Sequence, residues 1–292
     1  MRRSIRGWFG LLLAFGLTAC HAPSPPGVHA YSGHGTVEAI AGDHHRVTLH
    51  HEAIPGYMAE MTMEYPVRDD HLLDGLSVGD TIDFTLQAGP DDAWIDSVHR
   101  TGHADEAAVR GGALPEIPAT LKPGDPVPNV ELFAENGRLV HLADFRGNAV
   151  VLTFFFTRCP LPTYCPLMNR NFAQARALLL AASGAPSNWQ FLSVSFDPAF
   201  DTPQTLASYA TAFRGSDADR WLFASLSPEA LGTLAAPLGL VVMRQGNGIS
   251  HNLRTIVIDP QGHLFHQFND NTWTAQQLEE TVVEAAKKTN RP

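Results

Sequence analysis

NAVVLTFFF, residues 148–156, constrains the fold more than any other stretch of the chain. A near-continuous apolar run has no polar face to turn toward water. It therefore belongs to a central strand buried on both sides, the situation created when helices cover both faces of a largely parallel sheet. The segments that follow supply such helices. PLMNRNFAQARALLLAAS predicts a helix with proline at its first turn, where no backbone donor is missed. WQFLSVSF reads as a strand, TPQTLASYATAF as a helix, RWLFASL as a strand and SPEALGTLAAPLG as a helix. LRTIVIDPQGHLFHQF predicts a hairpin turning at Pro260-Gln261-Gly262, and TWTAQQLEETVVEAAKK a closing amphipathic helix.

Strands alternating with helices, then a hairpin and a last helix, predict an α/β thioredoxin-like C-terminal domain over residues 123–290. Residues 32–102 follow a different rule. Apolar and polar residues alternate, with turn signals at AGD, VGD and GPDD. Val47, Leu49 and His51 share one face of a candidate strand, and Ile82, Phe84 and Leu86 share one face of another. Short alternating strands at this spacing predict a small all-β barrel, and nothing there reads as a helix. Residues 103–122, rich in Ala, Gly and Pro, read as a linker between the two domains.

The first 20 residues have a basic start, a short apolar run and small residues before Cys20. The run is too short for a stable membrane-spanning helix and reads as an export signal. Leu17-Thr18-Ala19-Cys20 resembles a bacterial lipobox, which implies lipidation of Cys20; an ordinary signal peptide cleaved nearby is the alternative. Residues 21–31, with APSPPG, read as a flexible linker from that anchor. The implied location is the periplasmic side of a bacterial membrane, with the membrane itself as a partner through the lipid. Removing Arg2, Arg3 and Arg6 leaves 20 − 3 = 17 basic residues against 30 acidic ones. That balance disfavours nucleic acid as a partner and does not hinder binding of a cation.

With Cys20 assigned to the anchor, two of the three cysteines remain, in TRCPLPTYCPLMNRNF. Cys159 follows the apolar strand, at its carboxyl end, where open α/β sheets build their sites. In continuous helix the Cα atoms of Cys159 and Cys165 would lie about 9 Å apart, and in an extended chain about 20 Å. A disulfide needs roughly 4.4–6.8 Å, and a shared metal needs close sulfurs as well. Pro160, Pro162 and Pro166 prevent a regular helix and favour turns, so the chain curls and the pair is placed to meet. A structural disulfide, a redox pair and a metal clip all remain open on the residues alone. The short loop argues against the purely structural bridge.

TFFFTRCPLPTYCPLMNRNF resembles the copper loop of the Sco/SenC family. FLSVSFDPAFDTPQTLASYA matches that family's acidic element at Asp197, Pro198, Asp201, Thr202 and Pro203, and GISHNLRTIVIDPQG carries its late histidine. The resemblance spans roughly residues 123–288. It implies a thioredoxin-like fold, copper ligands Cys159, Cys165 and His251, and delivery of copper to the binuclear centre of an oxidase. It also implies a redox-active Cys159–Cys165 pair. The common family loop has three residues between its cysteines and this one has five. Thiolates with imidazole suit copper or zinc, and soft thiolate selects Cu(I). Asp197 and Asp201 are candidates to orient the ligands from behind; capping of the following helix is the alternative for Asp201.

HHEAIPGYMAEMTMEYPV holds three of the chain's six methionines, Met58, Met61 and Met63. On a strand, Met61, Met63 and Tyr65 face one way, and Thr62 and Glu64 the other. The plain reading is barrel core, which methionine fills readily. His51 changes the balance, because it lies on an apolar strand face and needs a partner there. A bend at Pro55-Gly56 would return the chain so that His51 meets the methionines. The stretch resembles the CusF family of small periplasmic copper and silver carriers. That resemblance implies an OB-type barrel and Cu(I) or Ag(I) ligands His51, Met61 and Met63. The family's metal-capping tryptophan is replaced by Met58, an additional thioether or a cover. His44 and His45 read as solvated surface.

Together these features predict an exported copper chaperone rather than an enzyme. It would bind Cu(I), with Cu(II) the alternative state and no organic cofactor, and pass copper to an apo-oxidase copper-centre subunit or similar cuproprotein. Two further functions remain open. One is a thiol–disulfide oxidoreductase that reduces the cysteines of a copper-site apoprotein, and the other is copper or silver tolerance.

Overall fold

The computed structural model describes residues 27–104, 114–115 and 117–288. Cys20, the export signal and about half of each expected linker lie outside the described residues.

The N-terminal part is a five-stranded antiparallel sheet of β1 (His29–Ile40), β2 (Arg46–His51), β3 (Met61–Pro66), β4 (Asp80–Ala88) and β5 (Ala93–His103). Its spatial order is β3-β2-β1-β4-β5. The alternation read from the sequence sets its faces. Val37, Leu49, Tyr65, Ile82, Leu86 and Ile95 turn inward and are fully buried. The two edge strands meet at a single parallel bridge, Val67 to Ile95, rather than along a ladder. Gly35 of β1 pairs with His51 of β2. A Cβ at Gly35 would come within 2.9 Å of the His51 Cα, so glycine permits the close approach that encloses this histidine.

The C-terminal part is a seven-stranded sheet in the order β14-β13-β8-β9-β10-β6-β7. Its strands are β6 (Glu131–Ala134), β7 (Leu139–His141), β8 (Ala149–Phe155), β9 (Trp189–Ser195), β10 (Trp221–Ser225), β13 (Thr255–Ile258) and β14 (Leu264–Phe268). Strands β8, β9 and β10 run parallel. Every residue of β8 is buried, as its composition requires. Among the described residues four α-helices accompany the sheet: α1 (Cys165–Ala181), α2 (Pro203–Arg214), α3 (Pro228–Leu238) and α4 (Ala275–Ala286). Helices α2 and α3 begin with proline behind an N-cap hydroxyl, Thr202 and Ser227, each accepting from a backbone N–H. Thr274 and Gln277 form a reciprocal capping box on α4.

Two hairpins add to the expected elements, β6–β7 and the separate pair β11 (Val242–Gln245) and β12 (Gly248–His251). Strands of three or four residues are too short to display a period. The outer face of β3 also differs from expectation. Alternation turns Thr62 away from the inner core, yet it is buried, because β12 covers it. The Thr62 amide donates to Ser250 Oγ at 2.7 Å. The Tyr164 hydroxyl donates to the Glu64 carbonyl at 2.8 Å, and the Tyr57 hydroxyl to the Pro160 carbonyl at 3.0 Å. The strand that carries the methionines thus packs on the hairpin that carries His251.

Candidate metal centre

Strand β8 delivers the chain to Phe156, and α1 begins at Cys165, so the cysteine loop bridges a central strand and a helix start. Within it, Cys159 N bonds Phe156 O at 3.2 Å and Tyr164 N bonds Leu161 O at 3.2 Å. These turns replace the regular conformations that would hold the cysteines apart. Both cysteines are buried and free. Cys165 Sγ lies 3.9 Å from His251 Nε2.

His251 ends β12, and its Nδ1 sits 2.9 Å from the Asn252 carbonyl. A carbonyl only accepts, so Nδ1 carries a proton, and Nε2 is the nitrogen turned toward the sulfurs. Phe156 meets the imidazole edge-on at 5.7 Å, and Phe196 packs at 4.9 Å. Burial opposes charge on Cys159, but hydrogen bonds with Cys165 and His251 and the imidazole's charge outweigh it, drawing the pKa down to about 5. Burial and the neighbouring Cys159 push Cys165 well above the usual thiol range. Of the two, Cys159 is therefore the more readily ionised. Among the described residues, the three ligand atoms of Cys159, Cys165 and His251 do not all lie within 4.8 Å of one another. Gripping one small ion requires a further inward turn of a side chain.

The two aspartates stand behind this loop. Asp201 is fully buried and accepts from the Thr157 amide at 3.1 Å and from the Thr157 and Ser195 hydroxyls. Thr202, not Asp201, caps α2. Asp197 is bound by Arg158 Nη2 at 2.6 Å and Arg244 Nη1 at 3.0 Å, fixing the residue next to Cys159.

In the N-terminal sheet, His51 pairs in register with Met61, and Leu49 with Met63. Ile54 N bonds Met58 O at 2.8 Å across the bend at Pro55-Gly56, returning Met58 to the core. His51 is fully buried, Met61 is 3% exposed, and Met58 and Met63 are 7% exposed. His51 Nδ1 lies 2.7 Å from the Glu52 carbonyl, and its Nε2 is buried with no hydrogen-bond partner. Burial also lowers the His51 pKa, which keeps the ring neutral and its lone pair available. No tryptophan covers this set. Tyr65 and Phe84 instead present edges to His51 at 5.8 and 6.4 Å, and the Tyr65 hydroxyl donates to Met58 Sδ at 3.4 Å. His44 and His45 are exposed.

The sequence reading places Tyr65 on the face of the methionines but gives no part to Tyr57 or Tyr164. Burial raises the Tyr65 pKa most, and Tyr164, Tyr57 and Cys159 add to it. The signal available was the alternation Met61, Met63, Tyr65 on one strand face. Asp69, Asp70 and His71 bring three ligand atoms together within 4.8 Å, but all three are exposed and mainly offer hard oxygen.

Two free cysteines and a tautomer-fixed histidine at the carboxyl end of a central thioredoxin-type strand mark the class: a thioredoxin-like protein with a thiol–imidazole loop. The SCO1/SenC family profile matches residues 120–287. The chain belongs to the SCO1/SenC family. A second profile, "Copper binding periplasmic protein CusF", matches residues 30–100.

A Stutzerimonas stutzeri protein named for copper binding is 28% identical over 166 residues, covering 54% of this chain and 76% of that protein. The mitochondrial SCO2 homologue of Bos taurus is 28% identical over 157 residues, covering 52% of this chain and only 56% of the relative. A SCO1/SenC family lipoprotein from Bacillus anthracis shares the fold, with TM-score 0.50, 22% identity, and coverage of 58% of this chain and 100% of its own.

Proposed function

We propose that this protein is a copper metallochaperone that carries Cu(I) as cargo and delivers it to a respiratory oxidase copper centre or a similar cuproprotein. Cys159, Cys165 and His251 form the tighter site, and His51, Met61 and Met63, with Met58 beside them, form a weaker, exchangeable one. The observation that carries the proposal is the pairing of His251 Nε2 with Cys165 Sγ at 3.9 Å while Nδ1 is committed to a carbonyl. An imidazole fixed in one tautomer beside two free cysteines is a soft donor set suited to monovalent copper. The unpartnered Nε2 of His51 among methionines supports the second site on the same chemistry. The match to a periplasmic copper-binding profile and the likeness to a lipoprotein support a place outside the cytoplasm, with Cys20 as the lipidated residue.

Anaerobic Cu(I) titration tests this directly. Wild type is expected to bind two equivalents, and the Cys159→Ser, Cys165→Ser variant one. A double variant that still binds two equivalents contradicts the assignment.

The thiolate–thiol pairing at Cys159 and Cys165 also favours a second reading, reduction of a disulfide in the copper recipient. His251→Ala separates the two. Loss of oxidase assembly with thiol exchange preserved supports the chaperone, whereas full assembly activity without the imidazole supports the reductase.

A further inference from the structure

The thioredoxin-like domain holds β3 by its backbone. β3 is the last strand at one side of the N-terminal sheet, so one row of its backbone groups has no strand partner there. Two such groups cross to the other domain. The Thr62 N–H donates to Ser250 Oγ at 2.7 Å, and two residues on, the Glu64 carbonyl accepts from the Tyr164 hydroxyl at 2.8 Å. The side chains of these two residues are spent inside their own sheet. Thr62 Oγ1 lies 3.1 Å from His50 Nδ1, and the Glu64 carboxylate pairs with Arg46 at 3.2 Å. The grip therefore reads an extended backbone and not a side-chain sequence.

Its two points straddle the thiol–imidazole set. Ser250 precedes His251 and Tyr164 precedes Cys165, and His251 Nε2 lies 3.9 Å from Cys165 Sγ. A third bond, from the Tyr57 hydroxyl to the Pro160 carbonyl at 3.0 Å, falls beside Cys159. The carboxyl end of such a sheet is where it opens to ligands. With β3 seated there, Cys159 is 9% exposed, Cys165 is fully buried and His251 is 7% exposed, so a protein recipient cannot reach them. The seat is loosely filled. Clefts of about 510, 470 and 410 Å³ run along the seam, each lined from both domains. Domains joined by a few polar contacts across open clefts separate more easily than domains packed on a large apolar face.

Resting on the copper reading above, we propose that Ser250 and Tyr164 form a strand clamp for the copper recipient, with β3 as its resting occupant. The partner is a cuproprotein that offers an extended segment with a free N–H and a free carbonyl two residues apart. That segment takes the place of β3 and comes to lie beside Cys165 and His251. While β3 stays seated, the donor set is shut to other proteins.

The test is alkylation of Cys159 and Cys165 by iodoacetamide in the reduced, metal-free, full-length protein, read by mass spectrometry. When opening and closing are fast, the rate tracks the open population. Thr62→Pro removes the N–H given to Ser250 on an edge strand, where proline is admitted, whereas Thr62→Ala removes the hydroxyl and keeps that N–H. The proline variant is expected to react roughly 2–10-fold faster than the alanine variant, the factor that one net hydrogen bond represents. Ser250→Ala deletes the same bond from the other side and is expected to match it, which decides the case should the proline variant not fold. A blocked synthetic peptide of residues 59–67 then supplies β3 in trans to the Tyr57→Phe protein, whose docking is loosened while both clamp points remain. This peptide is expected to slow alkylation, and the same peptide N-methylated at its threonine amide to leave the rate unchanged. Equal rates in the proline, alanine and Ser250→Ala variants, or no difference between the two peptides, overturn the clamp and leave the copper titration to judge the donor sets. The expected rates with a failed titration overturn the copper reading alone.

Discussion

The two domains hold their histidines in the same way and differ in the sulfur set beside them. His51 and His251 each turn Nδ1 onto the carbonyl of the next residue, at 2.7 and 2.9 Å, which leaves the His51 Nε2 unpartnered and sets the His251 Nε2 at 3.9 Å from Cys165 Sγ. This local device costs one hydrogen bond and fixes the tautomer a metal requires. The thioethers around His51 stay neutral at any pH, so a metal ion there would be held only by soft polarizability. The cysteines beside His251 offer charge. The scaffolds differ accordingly: His51 and Met61 face each other on a paired strand ladder, whereas Cys159 sits in a loop that other residues must brace. On the copper reading proposed above, a weak site beside a strong one would set the direction of transfer.

Variants should widen or erase this contrast. The largest effect is expected for Cys165→Ser, which removes the charged set and should cut Cu(I) stoichiometry from two to one; isothermal titration measures it. Next comes Asp201→Asn. Asp201 touches no ligand but holds Thr157 and Ser195 behind the loop. Loss of such a positioning residue should weaken copper at the cysteine site by roughly 10–100-fold while leaving the methionine site unchanged, as read by competition with a chromogenic chelator.

A smaller effect is expected from Glu38→Gln, and it depends on pH. Burial raises this carboxyl from its ordinary 4.5 to about 7. Folding therefore takes up a proton, and the stability it contributes is lost as pH rises between those values. The substitution should raise the Tm at pH 8 by roughly 2–4 °C, after discounting for solvent screening, and change it little at pH 4.5. Smallest is Tyr57→Phe, which deletes one contact between domains and should cost about 0.5–1.5 kcal/mol in chemical denaturation.

Much of this was legible in the residues because the strongest patterns are also the ones that position the site. NAVVLTFFF could only be a doubly covered strand, and it delivers Cys159 where such sheets carry function. Alternation placed His51, Met61 and Met63 on the inner face of β2 and β3. The exchange of roles at the start of α2 was harder to read. In Asp201-Thr202-Pro203 either polar residue can cap a helix, and only the fold shows Thr202 capping while Asp201 turns back to Thr157. The burial of Thr62 was invisible for another reason: its partner Ser250 lies 188 residues away, on a hairpin too short to carry a period. Docking between domains leaves no trace in local sequence, and with it went the roles of Tyr57 and Tyr164.

X-ray absorption at the copper edge, on the reduced full-length chain loaded first with one equivalent of Cu(I) and then with two, most directly asks whether both sets of donors bind the ion. The account predicts a first copper bound by two short sulfur contacts and one nitrogen. The second copper should add longer sulfur contacts of thioether type. A first equivalent surrounded by oxygen and nitrogen alone, with no sulfur at bonding distance, would contradict it.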